Sequence, residues 1–125
     1  MIKYNTIVVV LPGSIRSKKN SKRIFAKGNF KRVLPSKAYE AWEKQSRLYF
    51  RAHWPRFQPF EDDVDVCVHA YYKGRRPDLS GVLESVGDCM EGFLWRDDKQ
   101  IMSWDGSRLY HDKENPRTEI IVKES

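Results

Sequence analysis

Cysteine is scarce in this 125-residue chain: Cys67 and Cys89 are the only two, and neither stands in a C-x-x-C pair or at a Cys/His ligand spacing. That argues against a zinc ribbon and against a disulfide-stapled fold. Both thiols fall in apolar patterns, where a small buried cysteine is expected. Histidine is just as sparse; His53, His69 and His111 are scattered without a pairing pattern, and none is read as catalytic. No apolar run approaches the eighteen residues of a membrane span, and no charged-then-apolar leader opens the chain. A cytoplasmic, reduced protein is expected. Acidic residues are absent from one long stretch: between Arg16 and Arg32 there is none, whereas Arg16, Lys18, Lys19, Lys22, Arg23, Lys27, Lys31 and Arg32 are all cationic.

That segregation sets the electrostatic character. Lys and Arg outnumber Asp and Glu by 23 to 17, giving a formal charge of +6. Such a balance speaks to partners rather than fold, and nucleic acid fits it best. Clustered cations without acids are what phosphate-backbone binding needs, although the same run also reads as a solvated loop. Gly28-Asn29 marks a hairpin tip or loop within it.

The remaining chain reads as a single domain, residues 1–125, with no internal repeat. Ile2 to Leu11 is β-branched and ends at Pro12-Gly13, predicting a strand at or near the centre of a sheet. Ser36 is a good N-cap for a helix to His53, with Tyr39, Trp42, Ser46, Tyr49, Phe50 and His53 on one side, a core or interface stripe. Val64 to Tyr72 alternates cleanly, with Val64, Val66, Val68 and Ala70 on one face and Asp65, Cys67, His69 and Tyr71 on the other. Leu79, Val82, Leu83, Val86, Met90 and Phe93 recur at helical spacing. Gln100 to Asp105 and Thr118 to Lys123 read as strands separated by a polar stretch. The expected fold class is α+β: a small mixed β-sheet with two main helices packed on it.

The second helix carries the chemistry. Pro77 disfavours helical geometry at Arg76 and so places Asp78 at the helix start. Ser80, Glu84, Asp88 and Glu91 form a second stripe, and Asp97-Asp98 follow in a polar turn. Carboxylates brought together from a helix start and a strand start repel unless neutralised, and a hard cation such as Mg²⁺ is the usual solution. On a cationic protein the substrate of such a metal would be a phosphodiester. Lys73, Arg75 and Arg76, directly before Asp78, would hold the scissile phosphate. A bland alternative stands beside this: Asp78 as an N-cap only, Asp97-Asp98 as a turn only, and Glu84, Asp88 and Glu91 as a solvated face.

The run Arg76, Asp78, Leu79, Asp88, Gly92, Trp95, Asp97, Asp98, Gln100, Ile101 resembles the signature of the RusA family of Holliday-junction resolvases. The segment from Gly13 to Asn20 and the helix opening from Pro35 to Tyr39 resemble that family too, so the likeness covers most of the chain in order. It implies a small α+β fold, a two-fold homodimer, and an acidic cluster that binds Mg²⁺, with Mn²⁺ as a possible substitute, to cut DNA at four-way junctions. Carried onto this sequence, Asp78, Glu84 and Asp98 would be catalytic and metal-binding, with Asp97 as a further ligand and Ser80 and Asp88 in support. Arg16, Lys18, Lys19, Lys22, Arg23, Lys73, Arg75 and Arg76 would bind DNA. The family's usual helix opening is D-L-D-N, and here it reads Asp78-Leu79-Ser80-Gly81. A lysine common four residues after the second aspartate is replaced by Glu84, whose side chain could reach back toward the position of the missing carboxylate. The competing reading is a protein that grips branched DNA with weak or no cleavage. An unrelated RNA-binding domain finds no supporting segment in the sequence.

Overall fold

The computed structural model describes residues 5–17, 23–27, 30–34 and 36–125, with residues 23–34 described by their backbone alone. Seven strands and two helices follow one another as β1 (Thr6–Pro12), β2 (Arg23–Lys27), β3 (Phe30–Leu34), α1 (Lys37–His53), β4 (Val64–Tyr72), α2 (Leu79–Met90), β5 (Ile101–Ser103), β6 (Arg108–His111) and β7 (Arg117–Glu124). Five of the strands form one sheet in the order β1-β7-β4-β5, with β6 also paired to β4. The pairs β1–β7 and β7–β4 are antiparallel, whereas β5 and β6 run parallel to β4, so the sheet is mixed as expected.

Period-two alternation gives this sheet two unlike faces. Ile7, Val9 and Leu11 on β1, Val66, Val68 and Ala70 on β4, and Ile120 and Val122 on β7 are buried in one core with Tyr39, Trp42 and Phe50 of α1 and Val82, Val86 and Met90 of α2. Each of the Val, Ile, Leu, Met and Phe side chains among them contributes on the order of 1.5–3 kcal/mol by leaving water. Tyr39, Trp42, Ser46 and Phe50 of the α1 stripe are thus core, whereas Tyr49 is half-buried and His53 is exposed. Ser36 caps that helix as the sequence predicts, its Oγ accepting the Tyr39 N–H at 3.1 Å. Among the described residues no helix is long and apolar enough to cross a membrane.

Three expectations are corrected and one open reading is resolved. β1 is an edge strand of the described sheet: its β-branched residues reflect strand propensity, while Val8 and Val10 remain 54% and 41% exposed, so only one of its faces is buried. Of the two readings of the basic segment, hairpin or loop, the backbone bears out the hairpin: β2 pairs with β3, with Lys27 opposite Phe30; Gly28-Asn29 itself lies outside the described residues. The stretch between Asp105 and Arg117 contains a further strand, β6, where Leu109 and Tyr110 supply the β-forming side chains. Cys67 is only half-buried, because it faces away from the core, whereas Cys89 is fully buried as expected.

Candidate active site

Asp78 begins the site. Its extended backbone (φ −82°, ψ 129°) suits a residue just outside a helix, and its Oδ2 accepts the Gly81 N–H at 3.3 Å, capping α2. Ser80 Oγ donates to the same oxygen at 2.7 Å. The residue in place of the family's second aspartate is therefore bonded to the first.

Two segments distant in sequence close around this helix start. Ser85 Oγ donates to the Arg16 carbonyl at 3.0 Å and to the Gly81 carbonyl at 2.9 Å, tying the loop after β1 to α2. Ser17 is buried against Gly81, where any Cβ would run into Ser17 Oγ. Glycine at 81 is what lets the loop lie directly on the first turn of α2. On the other side, the Lys73 N–H donates to Ser14 Oγ at 3.0 Å, fixing the exit of β4 against that loop. The result is a cleft of about 570 Å³ whose lining includes Arg16, Arg75, Arg76 and Asp78 together with Ile15, Leu79 and Leu109. Backbone N–H groups at a helix N-terminus add positive potential to such a place.

Asp98 stands elsewhere. Its carboxylate lies against Gly87, about 3.6 Å from where a Cβ would be, and Gly87 is nine residues along α2 from Asp78, roughly 13 Å at the ordinary helical rise. Trp95 Nε1–H donates to Asp98 Oδ1 at 2.9 Å. Burial pushes the Asp98 carboxyl up to about 6; the Trp95 bond opposes this, while a hydrogen bond with Glu91 and the charges of Glu91 and Asp88 add to it. Two carboxyl groups can share such a bond only when one of them is protonated. Asp97 serves as a cap: its side chain accepts the Lys99 N–H at 2.8 Å, and Gln100 Oε1 accepts the Asp97 N–H at 2.8 Å, a capping box on the short 3₁₀ turn of Asp98–Gln100. Arg47 of α1 closes the far end of α2, donating to the carbonyls of Asp88 and Cys89 at 3.0 Å each.

The structure thus brings together Arg16, Arg75, Arg76, Asp78 and Ser80, and separately Asp88, Glu91 and Asp98. Glu84 is exposed in the second turn of α2. Among the described residues no three of the predicted carboxylates form a group that could hold a metal ion. Lys18, Lys19 and Lys22 lie outside the described residues, and Arg23 is described only as backbone of β2. Three contributors escape the sequence reading. Ser85 and Gly81 set Arg16 in place across nearly seventy residues of sequence, which no local pattern signals. Glu91 as the partner of Asp98 has a visible cue, since it sits one turn beyond Gly87 on the acidic stripe.

The endodeoxyribonuclease RusA profile matches residues 12–123, nearly the whole chain. The chain belongs to the RusA endodeoxyribonuclease family. No curated protein matches it closely enough to add a comparison. The matched range begins at the last residue of β1 and runs to the penultimate residue of β7, so it takes in the loop carrying Arg16, the cleft and all of α2. In this RusA-family chain the departure at Ser80-Gly81 has a local structural meaning: the hydroxyl bonds Asp78, and the glycine admits Ser17.

Proposed function

We propose that this chain is a divalent-cation-dependent nuclease that cuts branched DNA, four-way junctions above all, in recombination and repair in the cytoplasm, and that Asp78 is the centre of its site. The observation that carries this reading is a cleft lined by three arginines and one exposed carboxylate at a helix N-terminus. A phosphodiester entering the cleft would accept hydrogen bonds from Arg16, Arg75 and Arg76, which fix its oxygens beside Asp78. Lys73, Lys18, Lys19, Lys22 and Arg23 would extend the contact along the backbone, giving affinity that falls with salt.

The donor chemistry fits Mg²⁺, or Mn²⁺ in its place. Mg²⁺ keeps several waters and is commonly held by one or two carboxylates plus substrate phosphate oxygens, so Asp78 alone from the cleft suffices as an anchor. Bound there, such a cation supplies an acidified water and positive charge for the developing transition state. Asp78 would hold it, the arginines would neutralise the non-bridging oxygens, and Glu84, Asp97 and Asp98 would lend further negative charge. Two copies related by a two-fold axis would match the symmetry of a four-way junction and nick like strands.

A second reading is favoured by one contact: Asp78 Oδ2 is already engaged by Ser80 and Gly81. On that reading the chain grips branched DNA and cleaves it poorly. The deciding experiment incubates the protein with a synthetic four-way junction and a linear duplex in Mg²⁺ or Mn²⁺. Nicked duplex products from the junction alone are expected. Junction binding without cleavage in either metal would establish the second reading, and equal affinity for both DNAs would overturn both. Replacing Arg75 and Arg76 by Ala should flatten the slope of log affinity against log salt by about one unit for each phosphate left without its arginine.

A further inference from the structure

A stack of planar groups stands on the face of the sheet opposite the helices, and strand register fixes its order. Arg117 on β7 lies opposite Tyr71 on β4, and Tyr71 lies opposite Tyr110 on β6. The Arg117 guanidinium carbon is 3.7 Å from the centroid of the Tyr71 ring. Tyr71 and Tyr110 stack in turn, with centroids 4.8 Å apart and ring planes 16° from parallel. Because β4 runs between β7 and β6, the guanidinium covers one face of the Tyr71 ring and Tyr110 covers the other. The stack is also held in place. Arg117 donates to Glu119 at 3.0 Å and to Asp112 at 3.1 Å, and the His69 ring meets Tyr110 edge to face at 5.6 Å. It ends at Tyr110, since β6 pairs with no strand but β4 among the described residues.

Two observations bear on what would continue it. Leu109, the neighbour of Tyr110, lines the arginine cleft from the other face of the same edge strand. A polymer leaving the cleft therefore reaches Tyr110 by crossing the width of one β-strand. Arg108, two residues before Tyr110 and so on its face, is exposed, and its guanidinium carbon is 5.6 Å from the Tyr110 centroid. A flat ring at the end of a fixed stack, with a cation beside it, suits a flat group that carries a negative charge.

We propose that Tyr110 is the stacking site for an unpaired base of the DNA strand held in the cleft, with Arg108 neutralising the phosphate of that nucleotide. Aromatic rings and guanidinium planes are the surfaces on which unstacked bases are bound. Tyr71 has no ring face left to offer and acts as a cross-strand support, which leaves the end of the stack to the ligand. Inside a duplex both faces of a base are covered by its neighbours, so only a base out of the helix, as at a branch or a gap, can lie on Tyr110. The phosphate contacts of the cleft are ones that any duplex offers; this site adds selection for unpaired positions. The inference rests on the branched-DNA reading above for the strand in the cleft and deepens it.

The test compares affinities, in EDTA so that no strand is cut, for two duplexes with identical ends: one fully matched, the other with an internal loop of unpaired thymines. The unmodified chain is expected to bind the looped duplex about tenfold more tightly, the scale of stacking a base on an aromatic ring. Tyr110→Leu keeps an apolar side chain for the sheet but no ring, and should bring the two affinities together, whereas Tyr110→Phe should keep the preference. Equal affinities for the unmodified chain, a preference that survives Tyr110→Leu, or one lost in Tyr110→Phe would each overturn the proposal while leaving the junction-cleavage assay to decide the nuclease reading. Binding to neither duplex would overturn both. If circular dichroism shows Tyr110→Leu to be unfolded, cross-linking of the unmodified chain decides. With 5-iodouracil in place of a looped thymine, irradiation of the complex should join the base to Tyr110, and a cross-link elsewhere, or none, would overturn the proposal.

Discussion

The two ends of α2 carry aspartates in opposite surroundings. Asp78, at the N-terminus, opens onto a cleft with three arginines. Asp98, packed against the last turns of the same helix, meets Trp95 and two further acids, while the nearby cation Arg47 is committed to backbone carbonyls. A carboxylate among arginines at a helix start suits an incoming phosphate; one that shares a proton in a half-buried corner suits a chain turn. A single residue type serves two ends, and the environment divides the work.

The largest expected effect breaks or upholds this contrast directly. Asp78→Asn should lower junction cleavage by about 100-fold or more, the scale on which a single preorganised electrostatic group acts, while thermal stability barely moves because Asn caps a helix as well as Asp does. The same assay on Glu84→Gln and Asp98→Asn sharpens the result. A loss as large in either would mean that the two ends of α2 come together on DNA and that the contrast belongs only to the unbound chain.

Two glycines in α2 give a second comparison. Gly81→Ala drives a Cβ into Ser17 Oγ, and should cost about 1–3 kcal/mol in urea unfolding, as overpacking does, with weaker junction binding because Arg16 moves. Gly87→Ala meets the Asp98 carboxylate only at ordinary van der Waals distance, so the roughly 1 kcal/mol helix advantage of Ala over Gly should leave the chain as stable or more so. Equal destabilisation by both would mean that the tight approach at Gly81 is not what anchors the cleft.

The smallest effect is in pH. The folded chain holds the Asp98 proton up to about pH 6, whereas an ordinary carboxyl releases its proton near 3.8. This group's contribution to stability is fully present below that ordinary value and is lost as pH rises through about 6. Melting temperatures measured in EDTA should therefore decline over this window, and Asp98→Asn should flatten the decline. An unchanged profile in the variant would assign the proton elsewhere.

Elements with strong periodicity and a cap are legible in the sequence alone: α1 from Ser36, β4 from its alternation, and α2 from Pro77-Asp78. Short or charge-rich elements are not. β6 has four residues and no room to show a period, and the cations of β2 and β3 obscure a hairpin that only Gly28-Asn29 hints at. Half of the site is readable because Arg75, Arg76 and Asp78 are neighbours in sequence; Arg16 joins them only through the packing of Ser17 and the bonds of Ser85 on α2. The expected meeting of Asp78 with Asp98 illustrates a different limit. A stripe on a helix says which carboxylates share a side, but twelve residues of helix also hold its ends roughly 18 Å apart, a length that argues against one compact cluster.

The position of β7 bears on how the chain is made. It lies between β1 and β4, pairing with both along nearly its whole length, yet it follows every other strand out of the ribosome. Until residues 117–124 emerge, β1 and β4 have no common neighbour, and the apolar side chains meant for one core flank an empty slot with two unsatisfied edges. Parallel pairing of β5 and β6 to β4 can proceed, but closure of the sheet waits for β7. The nascent protein therefore carries an exposed strand-accepting groove until then, the situation in which holdase chaperones and strand exchange between neighbouring chains have most to act on.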